Sequence, residues 1–121
     1  MAEGAFSHPP CPQCEQPPAR REYLDPTTRW VVRLRHCEDH LVDFAVVLQM
    51  NTAMGWRDVT RFSVAHSNFH QYRYSWNTRY NHRRELGLLN TVEDVEQAYT
   101  QVTNWAYTQV EQFVSDWREG L

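Results

Sequence analysis

The run from Val59 to Tyr74 sets two histidines, His66 and His70, on either side of a short polar turn, among arginines and aromatics. Histidine titrates nearest neutrality, so two that converge can act as base and acid in one reaction. One would take a 2′-hydroxyl proton while the other protonates the leaving oxygen. Arg61, with Arg73 or Arg79, would steady the charge that develops. This spacing suits a metal-independent, ribonuclease-like activity, with His66, His70 and Arg61 as its candidate catalytic residues. The plainer alternative is a pair of partly buried histidines bonded to the turn backbone.

A second constellation suits metal. Cys11 and Cys14 have the C-x2-C spacing of a zinc knuckle, and Cys37 and His40 supply a C-x2-H pair at an expected hairpin turn. Four such ligands can close a tetrahedral structural zinc site. The alternative is a loose tail whose thiols bind nothing.

These side chains need elements to hold them. Residues 1–19 carry five of the 6 prolines and no apolar periodicity, which predicts an extended tail. Strict alternation begins at Arg29, and four strands follow: Arg29–His36, Leu41–Met50, Arg57–His66 and Phe69–Trp76. Their short connections predict an antiparallel meander. Pleat counting gathers Trp30, Val32, Leu34, Phe44, Val46, Leu48, Phe62, Val64, Tyr72 and Tyr74 on one face, with both histidines. Arg33, Arg35, Arg57, Arg61 and Arg73 gather on the other.

Residues 78–87 read as a polar loop. Thr91 to Asp94 reads as a capping box, and apolar residues from Val95 to Trp117 recur at steps of three or four along one long helix that ends at Gly120. The expected fold is α+β: a four-stranded antiparallel meander sheet packed against one long C-terminal helix, with an extended N-terminal tail. Residues 20–121 form its single domain. A helix that long would overhang the sheet and offer its far end to a twin subunit or another protein.

At 121 residues, 41% hydrophobic and 22% charged, the chain fits one globular domain. No apolar run is long enough to cross a membrane, and Met1 to Ala5 lacks a signal-peptide pattern, so a cytoplasmic location is the expectation. The net charge of −3 hides an asymmetry: residues 20–84 carry a balance of +5 and residues 85–121 a balance of −6. All 12 basic residues are Arg, a planar fork suited to phosphate or carboxylate. RNA is therefore an expected partner, contacted by Arg33, Arg35, Arg57, Arg73, Arg79 and Tyr72.

The run Trp56 to His66, followed by His70, resembles the small toxins of bacterial toxin–antitoxin pairs called TumE, and related uncharacterised domains. Val59, Arg61, Phe62, Ala65, His66 and His70 occupy the places of the V-x-R-Y-D-x-A-H run and its second histidine. Ser63 stands where that pattern has Asp, and Phe62 where it has Tyr. The resemblance covers about residues 29–119. It implies an RNA-directed toxin with an antitoxin protein as partner. The alternative from another class is a non-catalytic, zinc-stabilised interaction module that uses the acidic C-terminal helix, including as a homodimer contact.

Overall fold

The computed structural model describes residues 17–65, 68–76 and 81–120. Six strands lie side by side in chain order, each antiparallel to the next: β1 (Arg20–Asp25), β2 (Thr28–Cys37), β3 (His40–Thr52), β4 (Gly55–Ala65), β5 (Asn68–Tyr74) and β6 (Asn81–Leu88). Two helices follow, α1 (Val92–Thr108) and α2 (Val110–Glu119). The expectation of four strands and one long helix is thereby corrected; the class remains α+β with an antiparallel sheet.

The two unexpected strands are the edges. β1 reads Arg-Arg-Glu-Tyr-Leu-Asp and is exposed throughout; β6 reads Asn-His-Arg-Arg-Glu-Leu-Gly-Leu. An edge strand has little surface to bury, so it needs no alternation, and charge on it discourages pairing with another chain. Polar composition there marks an edge; residues 78–87, expected as a loop, hold most of β6.

One long helix becomes two at Gln109, whose φ of −126° and ψ of 14° leave the helical region. Thr100, Thr103 and Thr108 each donate a hydroxyl hydrogen bond to the carbonyl four residues earlier, a pattern that bends helices. A straight helix over residues 92–119 would run roughly 40 Å. The bend instead turns α2 back, so that α1 lies over β3 and α2 over β4.

Both helices cover the same sheet face. There Trp30, Phe44, Leu48, Phe62, Phe69, Val95, Val102 and Trp117 form the core. The apolar stripe of the helices is spent on this contact. Among the described residues no helix is long and apolar enough to cross a membrane.

Register is interrupted at defined places. Between β3 and β4, Leu48 pairs with Thr60 but Gln49 with Asp58, leaving Val59 as an extra residue. Such a bulge shifts side-chain parity by one. Val59 and Thr60 are consecutively buried, and everything before them on β4 changes face relative to simple counting.

Two local devices yield predictions. Thr91 caps α1: its hydroxyl accepts from the Asp94 backbone N–H, while the Asp94 carboxylate accepts from the backbones of Asn90 and Thr91 at 2.8 and 3.1 Å. Those bonds, Asn90 first, hold the Asp94 carboxyl below its ordinary range. A carboxyl lowered by folding stabilises above its unfolded pKa and loses that contribution as pH falls through the folded value. Asp94→Asn should lower Tm at neutral pH and flatten the acid limb of a Tm-versus-pH curve.

The β2–β3 turn places Glu38 and Asp39 at φ of 51° and 67°. Successive positive φ values are those of a type I′ turn, which favours Asn-Gly. Glu38→Asn with Asp39→Gly should raise stability by roughly 1 kcal/mol in chemical unfolding.

Candidate nucleic-acid interface

The face away from the helices is built by cross-strand registration. Paired residues on neighbouring strands share a face, so one row crosses the whole sheet: Arg21, Val31, Val47, Arg61, Tyr72 and Arg83. The next row runs Arg33, Ala45, Ser63, His70 and Glu85. Arg35 lies beyond it, opposite Asp43.

At the other end of this face an ordered cluster forms. Arg29 Nε donates to Gln49 Oε1 at 2.8 Å, and Gln49 Nε2 donates to Asp58 Oδ1 at 2.8 Å. The Arg29 guanidinium sits 3.9 Å from the Trp56 ring centre and donates to the Tyr23 hydroxyl at 3.2 Å. Tyr23 meets Trp56 edge-on at 6.0 Å and keeps 58% of its surface exposed. Stacked cation and rings thus lose little freedom if a base stacks on them. Nearby, burial first and then Asp58 raise the Tyr74 phenol above its ordinary pKa, keeping it a neutral donor.

The histidine pair takes a different form from the one expected. His70 pairs with Ser63, and Phe69 with Val64. His70 therefore belongs to the arginine face, and Phe69 takes the core position. Tyr72 moves with His70. Strand β4 ends at Ala65 and β5 begins at Asn68, each one residue earlier than expected, with Ala65 paired to Asn68. His66 lies outside the described residues.

His70 is fully buried, at 0% exposure, with Asn68 and Ser63 buried beside it. The Arg83 guanidinium spans its ring: Nε lies 3.3 Å from Nδ1 and Nη2 3.0 Å from Nε2. A neutral imidazole has one acceptor nitrogen and a guanidinium only donates, so one of these contacts is a hydrogen bond at a time. In this conformation His70 fixes where Arg83 points. Arg83 also lies 3.7 Å from Glu85.

Of the expected arginines, Arg33, Arg35 and Arg61 share the open face, and Arg33 and Arg61 are exposed. Arg57 and Arg73 do not. Arg57 precedes the bulge, pairs with Met50 and donates to the Trp76 carbonyl at 2.5 Å. Arg73 shares the parity of Phe69 and reaches Asp116 of α2 at 3.4 Å. Arg79 lies outside the described residues. Sequence reasoning missed Arg21 and Arg83, which ride on the unrecognised edge strands, and the Arg29–Trp56–Tyr23 cluster, which depends on the bulge.

Cys37 and His40 are direct partners across the two-residue turn; Cys37 is buried, and His40 Nδ1 lies 3.4 Å from Glu96 Oε1. Cys11 and Cys14 lie outside the described residues. Among the described residues no group of three or more His, Cys, Asp or Glu is arranged to hold a metal ion.

Residues 16–120 match a family model described as a domain of unknown function, DUF7718. The chain belongs to the DUF7718 family. No curated protein and no solved structure matches it. The DUF7718 match takes in all six strands and both helices.

Proposed function

We propose that this DUF7718 chain binds single-stranded RNA across the sheet face that its helices leave open. The observation that carries the reading is the row from Arg21 to Arg83, in which three arginines and Tyr72 stand in register on four of the six strands, with Arg33 in the next row. Guanidinium groups hold phosphates without reading sequence, and exposed rings stack on unpaired bases. Exposed Tyr23 and the half-buried Trp56 and Tyr72 supply the rings. The acids Glu93, Glu96, Glu111, Asp116 and Glu119 ride on the helices, across the sheet from this face. The resemblance of residues 56–70 to TumE toxins implies the same class of ligand.

Cleavage is a separate step. It requires His66 and His70 to reach the same phosphate, and His70 reaches a ligand on this face through Arg83. Binding alone requires only the arginines and rings.

Fluorescence anisotropy with a labelled RNA of ~12 nucleotides tests the reading. Four phosphate contacts on a single strand give a slope of about −3 for log affinity against log salt. Duplex RNA should bind more weakly, because its bases are not free to stack. Absence of binding at low salt, or a slope near zero, would overturn the proposal. Gel analysis of the same RNA after incubation reports whether it is cut.

A further inference from the structure

On the helix side of the sheet, where the chain bends at Gln109, a cavity of about 450 Å³ opens between the helices and strands β4 to β6. Its floor is aromatic: Trp105 and Phe113 lie 5.4 and 5.7 Å from Phe62 between ring centres. Four glutamines, Gln71, Gln101, Gln109 and Gln112, line its sides. Leu86, Arg73, Arg84 and Asp116 complete the lining, and the Asp116 carboxylate is paired with Arg73 at 3.4 Å.

These groups are unlike those of a packed core or a catalytic site. A side-chain amide is uncharged, and it both donates and accepts. Gln71 Nε2 donates to Thr60 at 3.1 Å and Gln112 Nε2 to Asp116 at 2.8 Å, so each keeps its carbonyl oxygen as an acceptor. Gln101 and Gln109 are exposed and offer both kinds of atom. Paired donors and acceptors beside an aromatic ring complement the polar edge and flat face of a nucleobase. Arg84 is exposed, and no described carboxylate is paired with it, which suits a phosphate. The volume lies within the range of small-molecule sites.

We propose that this cavity binds a phosphorylated nucleotide, with its base against Trp105 and the glutamine amides and its phosphate on Arg84. The site is distinct from the open face: Arg84 pairs with Gln71, whereas Arg83 pairs with Tyr72, so the two arginines leave β6 on opposite sides. The nucleotide is either free or the phosphorylated end of a strand that crosses the β6 edge.

The test titrates isotope-labelled full-length protein and follows the Trp105 indole N–H, assigned by its loss in Trp105→Phe. The probes are the four nucleoside 5′-monophosphates, the matching nucleosides and inorganic phosphate. At least one monophosphate should shift that resonance with saturation. Arg84→Ala should weaken it about tenfold or more, Gln101→Ala should weaken it too, and the nucleoside should bind weakly and be indifferent to Arg84. Both variants change exposed side chains, and an unchanged Tm confirms the fold. Arg33→Glu with Arg61→Glu should leave mononucleotide binding intact, which separates this site from the open face.

A 5′-phosphorylated RNA that displaces the mononucleotide more strongly than its 5′-hydroxyl twin would identify a strand end as the source. Equal, weak displacement by both would identify the free nucleotide. The proposal is overturned if no monophosphate moves the Trp105 signal, if Arg84→Ala binds as the parent does, or if inorganic phosphate alone matches the nucleotide.

Discussion

Phe62→Ala should cost about 3–5 kcal/mol in urea or guanidinium unfolding. Phe62 sits in the middle of β4 with 1% of its surface exposed. Trp105 approaches from α1 and Phe113 from α2. The same side chain therefore receives both halves of the bent helix. Alanine leaves a cavity that a bulged, paired strand cannot close, and each helix loses its ring contact with β4. A domain of this size has about 5–15 kcal/mol in total, so the variant should lose a large share of its stability and melt at a clearly lower temperature. Phe62→Leu keeps most of the volume and should cost less than about 1.5 kcal/mol. A loss below about 1 kcal/mol for alanine would mean that the helices do not rest on β4.

The sequence made the inner strands legible because they alternate. β2 to β5 lie close to the limits that alternation predicts, and the Thr91 cap and the Gly120 stop appear at the expected positions. The edge strands were not legible, because exposure on both faces removes the periodic signal that alternation depends on. The helix bend left no gap in the apolar stripe: Val102, Ala106, Val110 and Phe113 keep their spacing across Gln109. Only the run of threonines hinted at it.

The candidate site failed in a different way. Its residue types were read from the chain, but their grouping depended on register. One extra residue at Val59 moved Arg57 to the helix side, and the β4–β5 register, pairing Ser63 with His70 and Arg61 with Tyr72, placed both on the arginine face. Side-chain parity carries no memory past a bulge, so a single misplaced residue exchanges the faces for everything beyond it. The same logic explains why Arg33, Arg35 and Arg61 survive as neighbours: no bulge separates them in the pairing of β2, β3 and the far half of β4.

Charge asymmetry was read from the chain, but its meaning needed the fold. The acidic stretch became the helices, and the basic stretch became the sheet. Arg73 and Asp116 join the two at a distance of 3.4 Å, so part of the asymmetry is neutralised internally. The acids of the helices lie across the sheet from Arg33 and Arg61, while Asp43, Asp58 and Glu85 share the arginine face. Under the proposed reading, an RNA approaching the arginine face meets the helix acids only through the thickness of the sheet.

That separation makes charge reversal on the sheet the sharpest test of RNA binding. Arg33→Glu with Arg61→Glu should lower RNA affinity by about 100-fold at ~50 mM salt and bring the salt slope closer to zero by about 1.4. Both side chains are exposed, and they stand in adjacent rows near the middle of the face, so the fold should tolerate the change. Each substitution removes one phosphate contact and adds one repulsive charge, which is why the loss exceeds that of a neutral substitution. Arg118→Glu on α2 changes net charge by the same amount per residue but lies on the helix side, and should leave affinity within about twofold. If Arg118→Glu weakened binding as much as the sheet variant, only overall charge would matter. If neither did, the acidic helix would be the surface to pursue, as a contact for a protein partner.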